Sequence, residues 1–131
     1  MKEHTFRLHR GDDLRREIEA YAVKHRIQAG VILSCVGSVT EARLRDATGV
    51  RLQQIDRHCE IVSATGTISA ERLHIHISLS DESLSTFGGH LAYGCIVNTT
   101  AEIVLLELES YAFGTAFDPE TGYQELTISP R

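Results

Sequence analysis

Polar and apolar positions alternate along most of this chain, and one stretch departs from that period. From His4 to His9 the alternation puts Phe6 and Leu8 on one side of a short strand ending at Gly11. Asp12 and Asp13 then supply an N-cap and negative charge, and Leu14, Ile18, Tyr21 and Ala22 recur at helical spacing. Lys24, His25 and Arg26 complement the other end, so the spacing predicts a helix over 13–26 whose apolar stripe needs a sheet to lie on.

Beyond the helix the strand period returns. Residues 29–45 are apolar and then alternating, with Gly37 and Ser38 in the middle: two strands, or one strand bent at Gly37. Asp46 to Gly49 is turn chemistry, and Val50 to Ile55 reads as a half-exposed strand. Glu60 to Ile68 predicts a strand kinked at Gly66, and Arg72 to Ser80 another. Asp81 to Thr86 is a polar loop, and His90 to Val97 is an apolar strand interrupted by Gly94. Ala101 to Glu109 predicts a strand covered on both faces near its middle, with Glu107 and Glu109 on the sheet's other face, where a general base could sit but which reads rather as a solvated or interface face. A turn at Asp118 to Gly122 precedes a last alternating piece, Gln124 to Ile128. No repeat or linker divides the sequence, so the expectation is one α+β domain over residues 1–131, with about seven strands and one main helix.

Composition narrows the function classes. With 131 residues, 42% of them hydrophobic, the chain can bury a core without disulfides. A net charge of −5 repels polyanions, so the isolated chain is expected to bind nucleic acid poorly. Cys35, Cys59 and Cys95 are odd in number and lie among aliphatic residues, which suits buried reduced thiols and a cytoplasmic setting. There is no apolar signal core and no run long enough for a membrane span.

The chemistry concentrates in Leu73-His74-Ile75-His76-Ile77-Ser78-Leu79-Ser80-Asp81 and the following Phe87-Gly88-Gly89-His90-Leu91. On a strand, Leu73, Ile75, Ile77 and Leu79 share the core face while His74, His76 and Ser78 share the other. Imidazoles two residues apart on one face can converge on a single ion, and His90 could close a three-nitrogen set if Gly88 and Gly89 give the loop end backbone freedom at positive φ. Three protein ligands and an open position is the pattern of a reactive zinc. The plainer alternative is a solvated polar face beside an ordinary hairpin glycine pair. Asp81 or Glu82 could orient a histidine N–H, while His4, His9, His25 and His58 lack comparable partners and read as surface residues. A Ser/His/Asp hydrolase lacks its Gly-x-Ser-x-Gly elbow, and no Walker loop, dinucleotide fingerprint or Cys-x-x-Cys pair occurs. No catalytic residue is assigned. Arg43, Arg45, Arg51 and Arg57 could form a modest basic patch for DNA, or simply solvate the sheet.

These residues together resemble the PPC domain (plants and prokaryotes conserved domain, also DUF296). The resemblance rests on His74-x-His76-x-Ser78-Leu79-Ser80-Asp81, Gly88-Gly89-His90-Leu91 and Gly94-Cys95. Gly37-Ser38-Val39, Glu60-Ile61-x-Ser63-x-x-Gly66-Thr67 and the ending Phe117-Asp118-Pro119-Glu120-Thr121-Gly122-Tyr123 support it. It implies a strongly curved, mainly antiparallel sheet with a packed helix, assembled as a homotrimer, with His74, His76 and His90 as a pocket near subunit clefts. It also implies a DNA-binding label, carried in longer plant proteins by AT-hooks. This sequence contains no Arg-Gly-Arg-Pro hook and no basic arm. The resulting expectation is a trimeric PPC-domain protein with a histidine metal or small-ligand site, the alternative being a DNA-associated regulator.

Overall fold

The computed structural model describes residues 1–131. Strand β1 (Lys2–His9) leads to helix α1 (Leu14–Lys24), then β2 (Gly30–Arg45), β3 (Leu52–Ile55), β4 (Cys59–Ile68), β5 (Leu73–Ser80), β6 (Thr86–Leu91), β7 (Ile96–Glu107), β8 (Tyr111–Asp118) and β9 (Tyr123–Pro130). Seven strands form one sheet in the order β1-β7-β2-β4-β5-β6, with β3 beside β2, and β8-β9 form a separate hairpin. All pairings between named strands are antiparallel. The fold is thus α+β with one helix and a main sheet of seven strands, as expected, and a two-stranded hairpin lies outside that sheet. The hairpin's turn follows the Asp118–Gly122 turn chemistry, but its first arm, β8, carries no clean alternation to predict it.

The helix forms where the period predicted it. Asp13 caps it, its side chain accepting from the Arg16 N–H at 3.1 Å, and Leu14, Ile18 and Ala22 are buried against the sheet. Glu17 in the first turn and Lys24 in the last suit the helix dipole. No helix is long and apolar enough to cross a membrane. The core is a single cluster that includes Ile75, Ile77 and Leu79 from β5, Ile103 and Leu105 from β7, and all three cysteines, which are free. Burial pushes the thiols of Cys35 and Cys95 up to about 11, so both stay protonated near neutral pH.

β2 is one bent strand. Its first part pairs with β4 and β7, its last residues with β3 and β6, and its register with β7 shifts three times. Because β4 pairs with β5 and β5 with β6, the pairings β2-β4-β5-β6-β2 close a ring. Gly37 permits the tightest approach: a Cβ there would strike the Thr100 carbonyl oxygen and lie 2.8 Å from Ala101 Cα.

Three expectations need correction. Gly88 and Gly89 lie within β6 rather than in a loop, and neither has positive φ. Their lack of a side chain serves close packing: a Cβ on Gly88 would overlap the Ile77 carbonyl oxygen, and one on Gly89 would lie 2.8 Å from that of Arg45. His4 is buried rather than on the surface. β1 begins at Lys2, so the same alternation that turns Phe6 and Leu8 inward turns His4 inward too, with Nδ1 3.0 Å from the Tyr21 hydroxyl and Nε2 3.4 Å from Glu107. Glu107 follows Ile103 and Leu105 on the covered face of β7 and is buried beside His4.

Because a methyl group at position 88 has only backbone to push against, Gly88→Ala is expected to destabilise the protein by about 1–3 kcal/mol. A lower urea midpoint with an unchanged m-value checks this; an unchanged midpoint refutes the packing role.

Candidate metal centre

β5 alternates strictly, burying Leu73, Ile75, Ile77 and Leu79 and turning His74, His76 and Ser78 to the other face. β6 pairs with it so that His76 faces His90, and Ser78 faces Gly88. The next strand round the ring places Arg45 opposite His90, while β4 places Thr65 opposite His76. One row therefore runs across four strands: Thr65, His76, His90, Arg45.

The three imidazoles meet at this row. Ring centroids are 5.0 Å apart for His74 and His76, 5.5 Å for His74 and His90, and 5.8 Å for His76 and His90. One nitrogen from each lies within 4.8 Å of the others. Two nitrogens on a tetrahedral zinc stand about 3.4 Å apart, so each separation would have to close by about 1.4 Å or less for coordination. His90 Nδ1 is buried and has no hydrogen-bond partner, and in the tautomer that leaves it unprotonated its lone pair would be free for a metal ion.

Burial and nearby charge favour the neutral forms of His90 and His74. Burial pushes His90 down from 6.5 to about 4, with the charges of Arg45 and Arg15 adding to it. Burial lowers His74 as well, helped by Arg72, His76 and Arg45 and opposed by Glu125. Neutral imidazoles carry the free lone pair that a metal requires.

Arg15, which the sequence reading did not single out, braces the site from behind. It donates to the Leu91 carbonyl at 3.1 Å and the Leu73 carbonyl at 3.4 Å, the residues just after His90 and just before His74. Nothing local in the sequence ties it to strands so far along the chain. Asp13 adds a second brace by accepting from the Gly94 N–H at 2.8 Å, in the turn between β6 and β7.

The other named residues fall elsewhere. Asp81 accepts from Ser83, Ser85 and Arg57, and no hydrogen bond joins Asp81 or Glu82 to the histidines. Arg57 is thus held by Asp81 and lies over Phe87, while Arg51 is held by Asp46 at 2.6 Å. Arg43 packs its stem against Gly94. Arg45 instead lines, with His76 and His90, a cleft of about 430 Å³ whose walls include Ser63, Thr65 and Ser78.

Comparisons with known proteins follow the same outline. The family model of the Plants and Prokaryotes Conserved (PCC) domain matches residues 1–109. A bifunctional protein GlmU from Synechococcus sp. strain JA-2-3B'a(2-13) is 42% identical over 99% of this chain, which spans only 21% of that protein's length. Among solved structures, a hypothetical protein from Salmonella enterica is 32% identical with a TM-score of 0.96, covering 99% of this chain and 94% of the other. A metal-containing protein from Archaeoglobus fulgidus is 29% identical with a TM-score of 0.81, covering 97% and 94%. A candidate DNA-binding protein from Bacteroides thetaiotaomicron shares the fold at 23% identity, with a TM-score of 0.84 over 95% and 91%.

The depressed His90 basicity has a consequence for stability. Between its unfolded value near 6.5 and its folded value of about 4, the unfolded chain takes up a proton that the folded chain resists, so stability falls as pH falls through that window. Urea titrations of metal-free protein from pH 7 to pH 4 should show this loss, and His90→Gln should lose less stability over the same range. An equal loss in both proteins would contradict the assignment.

Proposed function

We propose that this chain, which belongs to the Plants and Prokaryotes Conserved domain family, is a metal-centred small-ligand binding protein that works as a homotrimer in the cytoplasm. His74, His76 and His90 would hold one divalent ion, with zinc the expected metal for three imidazoles. The observation that carries this reading is the convergence of the three rings beside the unpartnered His90 Nδ1. The name of the Archaeoglobus relative as metal-containing supports it. A zinc ion there would act as a Lewis acid toward an oxygen at its open position.

Exposed apolar surface supports assembly with further copies of the chain. Leu33, Val36 and Val62 are more than half exposed on the strands that wrap the core, and Phe117, Tyr123 and Ile128 are exposed on the C-terminal hairpin. No residue of β8 or β9 is buried, and an isolated two-stranded hairpin is marginal in water, so copies of the same chain packed on it would supply the missing cover.

DNA association is the second reading, favoured by the description of the Bacteroides neighbour. The electrostatics argue against it as the main role. The net charge is −5, and Arg51 and Arg57 are already neutralised by Asp46 and Asp81. Phosphate contacts need free cations.

Untagged wild-type protein is expected to bind one zinc per chain, and His76→Ala to weaken that binding by more than about 100-fold. Absence of zinc from the wild type, or equal affinity in the variant, would defeat the metal reading. The mass in solution should be that of three chains; a monomer would exclude the assembly. Binding to duplex DNA should be undetectable at physiological salt, and tight binding that weakens steeply as salt rises would restore the second reading.

A further inference from the structure

We propose that the ligand of this centre is a small oxyanion, a carboxylate or phosphate whose oxygens are shared between the metal and the guanidinium of Arg45. The proposal deepens the metal reading and rests on it for the ion. Its first support is position. The register places Arg45 next to His90 on the same face of the ring, and neighbours in such a row hold their Cβ atoms about 4.5–5.5 Å apart. Arg45 also lines the cleft into which His76 and His90 open.

The second support is that Arg45 is uncommitted. Four salt bridges occur in the chain, and none involves it. The nearest carboxylate in sequence, Asp46, also lines the cleft, but its oxygens accept from Thr48, Arg51 and Gln53. Arginine presents a planar fork that suits two oxygens of one anion, and here that fork stands free.

The third support is charge balance. Three neutral imidazoles contribute no negative charge to a divalent ion, and Arg45 adds another positive one. Asp46, the carboxylate in the cleft lining, is paired with Arg51, so the positive excess stays in place. A partly enclosed cleft with that excess favours an anion over a neutral molecule. The hydroxyls of Ser63, Thr65 and Ser78 offer further donors, and a cleft of about 430 Å³ suits a compact molecule rather than a polymer.

Malonate, methyl phosphate and neutral malonamide serve as probes, titrated calorimetrically into zinc-loaded and metal-free protein, each as wild type and as Arg45→Gln. At least one of the two anions should bind zinc-loaded wild type, and the tighter one identifies the source of the oxyanion. Malonamide should not bind, and Arg45→Gln should weaken anion binding at least about tenfold while still taking up one zinc. Equal anion affinity in the variant, or equal binding of malonamide, would overturn the proposal. If the wild type takes up no zinc, the metal reading fails by itself and the metal-free titration decides Arg45. Anion binding there that Arg45→Gln abolishes would keep an oxyanion site, and no binding in the wild type would end it.

Discussion

The site depends on one strand pairing on both of its edges while changing partners along its length. β2 begins between β4 and β7 and ends against β3 and β6, and that change of partners closes the ring β2-β4-β5-β6. A straight strand of sixteen residues could not reach both sets of neighbours. The bend is made possible where bulk is missing: Gly37 crosses the β7 backbone too closely for a Cβ, and Gly89 approaches the Arg45 carbonyl in the same way. Register shifts along β2 supply the added twist. Without the closure, Arg45 and His90 would belong to distant parts of an open sheet.

Closure also sets the electrostatics. It brings His90 close to Arg45, and α1 brings Arg15 to the carbonyls that flank the histidines. Both arginines favour the uncharged imidazole, as burial does, so the three effects act in the same direction on His90. Arg15 commits its guanidinium to backbone oxygens and so serves as a brace, whereas Arg45 has no partner in the chain. Two cations with the same effect on an imidazole therefore differ in what they can do for a ligand.

Much of this was legible along the chain because alternation is a local signal. It assigned the two faces of β5 correctly, placed α1 within a residue or two, and singled out His74, His76 and His90, which the fold brings together. What it missed depends on long-range register. Nothing local places residue 45 opposite residue 90, or ties Arg15 to strands 58 and 76 residues further on. The glycine pair illustrates a different error. A glycine pair suggests conformational freedom, but at Gly88 and Gly89 the requirement is the lack of space between paired strands. A histidine without sequence partners suggests a solvated side chain, yet the alternation of β1 turns His4 inward with Leu8.

The residues on which the resemblance to the family rests include the glycines and histidines that build the cleft, and the geometry ties them together. Gly66 meets β5 at His74 and Ile75, Gly88 meets it at Ile77 and Ser78, and Gly89 meets β2 at Leu44 and Arg45. Each glycine lets a strand approach beside a residue of the histidine row or one next to it. Replacing any of them would push apart the strands that carry the imidazoles, and the cost would fall on stability and on the site together. A fingerprint of this kind preserves a shape. Which ligand the shape serves is decided by residues such as Arg45, whose backbone the fold fixes and whose side chain the fold leaves free.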